Sequence, residues 1–246
     1  MKINDYVDLA VECGAYSTLG VRIADFENYS LSEIKVDSRE KAELFGKPCG
    51  TYYSFLFSEA DELCIEAIEE ISTAIAEKLT GLLPTSEKLR IFVAGLGNEE
   101  IVFDSLGGRV CRKISPLVME AFSLFPYEIG VEGKSGIESV SIVKSLVGEI
   151  SADAVIVIDS LIARGEERLG RVIQISDSGI NAASGVGRHK NALNYESIGV
   201  PVIAVGAPLA LNLDGLLAVN EQVERTAETL SRIIADSILK LKPKVE

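Results

Sequence analysis

Ala154-Val155-Ile156-Val157-Ile158 is an unbroken apolar run, β-branched in four of its five positions, and it passes directly into Asp159 with no turn residue between them. A run of this kind reads as a strand buried on both faces, as strands inside a parallel sheet are. Two more runs share the pattern: Leu89-Arg90-Ile91-Phe92-Val93-Ala94, stopped by Gly95, and Val200-Pro201-Val202-Ile203-Ala204-Val205, stopped by Gly206. A shorter one, Val172-Ile173-Gln174-Ile175, lies between the last two. The stretches that separate them carry helical spacing. Leu63, Ala67, Ile71, Ile75 and Leu79 form one stripe, Ile137, Val140, Val143 and Val147 a second, and Val223, Ala227, Leu230, Ile234, Ile238 and Leu241 a third, within 217–241. Helices are also predicted over 115–125 and near 190–197. Buried strands alternating with helices predict one three-layer α/β domain spanning 1–246, with a mostly parallel central sheet, right-handed crossovers and helices on both faces, like that of phosphorylase- and hydrolase-type folds. Between Tyr16 and Phe57, short runs such as Tyr52-Tyr53-Ser54-Phe55-Leu56-Phe57 are expected to add antiparallel strands at an edge.

Composition removes several classes of function. The chain has 246 residues, is 47% hydrophobic and carries a formal charge of −13, a balance that repels nucleic acid unless a basic face is set apart. Its densest positive cluster, Arg188-His189-Lys190, is too short to track a phosphate backbone, so no direct nucleic-acid binding is expected. The start, Met1-Lys2-Ile3-Asn4-Asp5, lacks a secretory pattern, and no apolar run is long enough to span a bilayer. Cys13, Cys49, Cys64 and Cys111 are scattered without a C-x-x-C pair, which fits a reducing cytoplasm and neither a zinc knuckle nor a disulfide framework. With His189 as the one histidine, no metal and no cofactor are expected. Gly95-Leu96-Gly97 after a strand has the look of a dinucleotide loop, but Glu100 stands where the third glycine belongs.

In open parallel sheets, ligands gather beyond the carboxyl ends of the strands. Asp159 stands at such an end, and Asp104, in Gly97-Asn98-Glu99-Glu100-Ile101-Val102-Phe103-Asp104-Ser105-Leu106-Gly107, can reach the same rim from a loop or a helix start. Two carboxylates a few ångströms apart cannot both ionise cheaply, so one keeps a proton while the other accepts one, the division that peptide hydrolysis needs. The same residues also fit a plainer reading, in which Asp104 caps the next helix and Asp159 ends its strand through an Asx turn. Asn98, Asp177, Ser184 and Gly185 are candidate substrate-binding residues. The small-residue loop that holds the last three either admits an extended peptide or simply turns tightly. His189 fits a solvated surface group, and Cys13 and Cys111 fit buried, inert thiols.

Several segments resemble, in order, the bacterial germination protease family. They are Asp8-Leu9-Ala10-Val11-Glu12, Leu96-Gly97-Asn98, Asp104-Ser105-Leu106-Gly107, Gly133-Lys134-Ser135-Gly136-Ile137-Glu138, Ile158-Asp159-Ser160-Leu161, Ile173-Gln174-Ile175-Ser176-Asp177-Ser178-Gly179-Ile180, Ser184-Gly185-Val186-Gly187 and Gly199-Val200-Pro201-Val202-Ile203-Ala204-Val205-Gly206. The resemblance implies an atypical aspartic endopeptidase of the forespore or spore core, without metal, that degrades small acid-soluble spore proteins during germination. The family's catalytic aspartates fall on Asp104 and Asp159. Resemblance also implies a homotetramer made as a zymogen, with residues 1–12 or so as a propeptide-like segment. The chain departs from the family pattern at Val102-Phe103, where Thr-Pro is usual, at Tyr6-Val7, where Arg-Thr is usual, and at Asn212 in place of an aspartate. Two alternatives stand beside this reading: a non-catalytic or divergent paralogue that binds spore proteins or another peptide, and a metal-assisted peptidase similar to those that mature hydrogenases.

Overall fold

The structure is a computed structural model that describes residues 7–13, 20–119, 121–181 and 192–242. Its first half comprises β1 (Arg22–Asp25), β2 (Ser30–Val36), α1 (Arg39–Phe45), β3 (Gly50–Leu56), α2 (Ile65–Leu82), β4 (Leu89–Leu96), α3 (Leu106–Lys113), β5 (Leu117–Val118) and β6 (Phe122–Gly130). The second half comprises α4 (Glu132–Ser135), α5 (Ser139–Ile150), β7 (Ala154–Ala163), β8 (Val172–Ser176), β9 (Ile180–Asn181), β10 (Ala192–Leu193), α6 (Tyr195–Ile198), β11 (Val202–Leu213), β12 (Leu216–Ala218) and α7 (Val223–Leu239).

Among the described residues, ten strands make one sheet in the order β1-β2-β3-β8-β11-β7-β4-β6-β5, with β12 paired to β11. The four central strands, β11, β7, β4 and β6, are mutually parallel. Period-two alternation along them feeds two separate cores. Ile91, Val93, Ile156, Ile158, Ile203 and Val205 pack on the face covered by α2, α3 and α7, against Ile71, Ile75, Val110, Leu230 and Ile234. Phe92, Ala94, Val155, Val157, Val202 and Ala204 pack on the opposite face against Val143 and Val147 of α5 and Ile198 of α6. Residues 154–158 of β7 are wholly buried because both faces are covered. The α/β fold with helices on both sides of a parallel centre is therefore the one expected.

Antiparallel pairing extends further than edge additions. β8 runs antiparallel to both β11 and β3, and β3, β2 and β1 continue antiparallel outwards. The segment read as a helix over 115–125 is instead β5 and the start of β6. Its apolar residues satisfy helical spacing, but Phe122, Leu124 and Phe125 take the parallel ladder beside β4, and tertiary pairing overrides the local pattern. The helix lies earlier, at Leu106–Lys113. The third apolar run does not stop at Gly206. It continues to Leu213, and its register shifts between Pro208 and Ala210, so the residue without an N–H falls at the irregularity. Near 190–197 only α6 is described, opened by a capping box in which Asn194 and Ser197 exchange hydrogen bonds. The stripe over 217–241 is a helix from Val223 onward, preceded by β12, and the side chain of Asn212 closes the β11–β12 turn by accepting from the Gly215 N–H at 2.8 Å.

Helix α3 lies at backbone distance from β4 and β7. A Cβ built at Gly107 would stand 2.4 Å from the Leu96 nitrogen and oxygen and 2.7 Å from the Ile158 oxygen, and one at Gly95 would stand 2.4 Å from the Gly107 oxygen. Gly107→Ala forces the helix away from the sheet and is expected to lower unfolding free energy by about 3 kcal/mol. Gly148→Ala, in α5 with open space around it, is expected to raise it by about 0.5–1 kcal/mol. Urea unfolding of the two variants measures both.

Candidate functional site

Pairing of β7 with β4 ends at Ile158, opposite Gly95, whereas its pairing with β11 carries on through Asp159 to Ala163. Asp159 is thus the first residue of β7 beyond β4, at the carboxyl rim of the parallel strands and in mid-strand. It does not end the strand, although its Oδ1 does accept from the Ser160 N–H at 2.9 Å. The chain leaving β4 turns back at Gly97, whose φ of 98° suits glycine and whose Cβ position would lie 2.0 Å from the Asp104 carbonyl oxygen. This reversal brings a 3-10 turn, Val102–Asp104, beside β7. The Leu106 N–H then donates to Ser160 Oγ at 3.3 Å and ties the start of α3 to the same strand. Asp104 is not the cap of α3. Its Oδ2 accepts backward from the Asn98 N–H at 2.8 Å, while the Asn98 side chain accepts from the Glu100 N–H at 3.1 Å.

Both carboxyls are half-buried, and among the described residues neither forms an ion pair. Burial pushes Asp159 well above its ordinary value of 3.8, and the charges of Asp104 and Asp8 push it further. Burial also raises Asp104, opposed by its bond from Asn98. Of the two, Asp159 holds its proton more firmly.

A third carboxylate arrives from the N-terminal segment, which the motif pattern had marked without locating. Asp8 lines the same cleft as Asp159, and its Oδ2 accepts from the Ile162 N–H of β7 at 2.8 Å. Leu9 and Ala10 are fully buried. The Asp8 carbonyl accepts from Lys47 Nζ at 2.8 Å and from Gln174 Nε2 at 3.2 Å, while the Ala10 N–H donates to Gln174 Oε1 at 2.6 Å. The Glu12 carboxylate accepts from the N–H groups of Arg164 and Gly165 at 3.0–3.1 Å. Neither Lys47 nor Gln174 was singled out as a site residue. Gln174 did carry a signal, as the polar residue inside the apolar run of β8.

Tyr52, Ser176, Asn194 and Gly206 complete much of the cleft wall. Asp104 sits beside that wall and acts on Asp159 through its charge. Asp177 lies beside the wall rather than in it: its Oδ1 accepts from the Thr51 N–H at 2.7 Å and clamps β3 to β8, leaving Ser178 and Gly179 to face the cleft. Ser184, Gly185 and His189 lie outside the described residues. Cys13 and Cys111 are buried, and burial pushes the Cys111 thiol up to about 12. Among the described residues, no group of three His, Cys, Asp or Glu side chains is arranged to hold a metal ion, and no helix is long and apolar enough to cross a membrane.

A family model described as germination protease matches residues 13–221. The germination protease of Clostridium perfringens is 34% identical over 200 residues, which cover 76% of this chain and 61% of that protein. That of Caldanaerobacter subterraneus subsp. tengcongensis is 31% identical over 224 residues, covering 87% of this chain and 68% of its own length. The chain thus spans roughly three fifths to two thirds of these relatives. Among solved structures, a NiFe hydrogenase maturation protease from Thermococcus kodakarensis aligns with a TM-score of 0.43 at 20% identity, over 66% of this chain and 99% of the other.

The folded chain retains the Asp159 proton to higher pH than the unfolded chain does, so the stability tied to this group declines as pH rises above about 3.8. Asp159→Asn keeps the shape without a charge to bury. It is expected to raise the thermal unfolding midpoint at pH 7, with the gain closing as pH is lowered toward 3.8. Melting curves across that range test the sign.

Proposed function

The chain belongs to the germination protease family, and on that premise we propose that it is an endopeptidase of spore germination that cleaves small acid-soluble spore proteins with Asp104 and Asp159 as its acid–base pair. The observation that carries this reading is the placement of two half-buried carboxyls at one rim of the sheet, the more strongly proton-holding of them in a cleft. Asp159 in its protonated form donates to the scissile carbonyl oxygen. Asp104, ionised and steadied by the Asn98 N–H, takes a proton from the attacking water. As the tetrahedral intermediate collapses, the C–N bond breaks, protonated Asp104 gives its proton to the leaving amine and a hydroxyl of the intermediate returns one to Asp159 as the new carboxyl forms, so the pair regains its starting state.

The departure at Val102-Phe103 falls on the turn that carries Asp104. Val102 and Phe103 pack against the main core, so the positions usually held by Thr-Pro serve here as apolar anchorage for the turn that carries Asp104. The seating of Asp8 to Glu12 along the cleft supports the zymogen reading, in which the N-terminal segment covers the site until it is removed. Tetramer assembly and residence in the spore core complete the proposal by resemblance to the family.

Asp104→Asn and Asp159→Asn are each expected to slow cleavage of an acid-soluble spore protein by about 10²- to 10⁴-fold, with products mapped by mass. Cleavage at an undiminished rate by either variant overturns the assignment, and binding without any cleavage by the unaltered chain favours a binding protein. The rate should fall as pH rises through the elevated value of Asp159, where the acid is lost. It should fall again as pH drops through that of Asp104, where the base is lost.

A further inference from the structure

Gln174 sits in the middle of β8, in register with Ser54 of β3 on one side and Gly206 of β11 on the other. Its strand neighbours Ile173 and Ile175 are fully buried, whereas the Gln174 side chain emerges into the cleft that Asp159 lines. There it makes two hydrogen bonds of opposite sense to a single stretch of main chain, accepting from the Ala10 N–H at 2.6 Å and donating to the Asp8 carbonyl at 3.2 Å. These groups flank Leu9. In a parallel ladder, one residue engages the carbonyl before and the N–H after the residue it faces. The side-chain amide of Gln174 therefore imitates one residue of a parallel strand, and it reads backbone without regard to side-chain identity. Leu9 meanwhile enters an apolar pocket with Leu161, Ala163, Val172 and Leu211.

We propose that Gln174 is a substrate-binding residue, whose amide holds the main chain of an extended peptide in the place now taken by Asp8 to Ala10. The inference rests on the peptidase reading above and adds a named backbone clamp to it. Main-chain bonding of this kind supplies affinity, while side-chain pockets along the strand supply selectivity.

The plain alternative is that Gln174 only tethers the chain's own segment, and competition separates the two roles. The probe is a fluorescein-labelled peptide of the sequence Val7-Asp8-Leu9-Ala10-Val11-Glu12, titrated onto full-length protein and followed by anisotropy. In the native background, a pure tether predicts that Gln174→Ala frees the cleft, so that the peptide binds more tightly. A substrate clamp predicts no tightening, since the segment and the probe lose the same two bonds. In a Leu9→Asp background, which removes the apolar anchor of the resident segment, Gln174→Ala is expected to weaken the probe about tenfold. Gln174→Glu, isosteric but without the Nε2 donor, is expected to weaken it about threefold. Tighter binding in the native background, unchanged binding in the Leu9→Asp background, or no binding of the probe to the Leu9→Asp chain each overturns the inference. If Leu9→Asp does not fold, the native background decides alone. Catalysis is not read, so failure of the aspartate assignment leaves this test intact.

Discussion

Where Gly107 meets β4 and β7, helix α3 approaches the sheet at backbone distance, and the position of the acidic pair follows from that approach. Gly95 and Gly107 face each other where a methyl group on either would collide, and Gly97 reverses the chain between them with a backbone conformation that other residues adopt only under strain. The loop so shortened delivers Asp104 to the flank of β7, at the point where β4 has peeled away and Asp159 is no longer covered on that side. Leu-Gly-Asn and Asp-x-Leu-Gly therefore act as one packing unit: their glycines set a distance, and their polar residues occupy the space it leaves.

Charge at the rim is arranged by subtraction. Asp159, Asp104 and Asp8 crowd one region, and burial and mutual repulsion keep a proton on Asp159. The buried Lys47 donates to the Asp8 carbonyl, and its charge, with that of Arg164, partly offsets the rise that burial gives the Asp8 carboxyl. Main-chain groups of the N-terminal segment thus engage the polar side chains of the cleft, and its acidic side chains engage backbone N–H groups of β7 and the turn after it. An extended peptide could exploit the same complementarity.

The layered fold was legible because strands buried on both faces leave no polar residue in register, as in Ala154 to Ile158. Residues 115–125 were misread because Phe122, Leu124 and Phe125 suit either period, and what settles them is β4, more than twenty-five positions earlier in the chain. The direction of β8 was equally illegible, since Val172 to Ile175 looks the same whichever way its neighbours run. The local pattern gave the position of Asp159 after the buried run, but not the continuation of its strand to Ala163. Asp104 was read only as able to reach the rim from a loop or a helix start, and the reversal at Gly97 that brings it there was not foreseen. The bonds from Gln174 and Ile162 to the Asp8 segment span more than 150 positions, and no periodicity reports contacts of that range.

The two aspartates are mounted differently. Asp159 is held in a strand whose pairing with β11 runs four residues past it, whereas Asp104 rides on a 3-10 turn held by short-range main-chain bonds, the Asn98 N–H and the packing of Val102 and Phe103. One carboxyl is an anvil and the other a hammer on a short handle. A change at Val102 or Phe103 therefore acts on the mounting of one carboxyl, while the strand ladder that carries the other stays as it is.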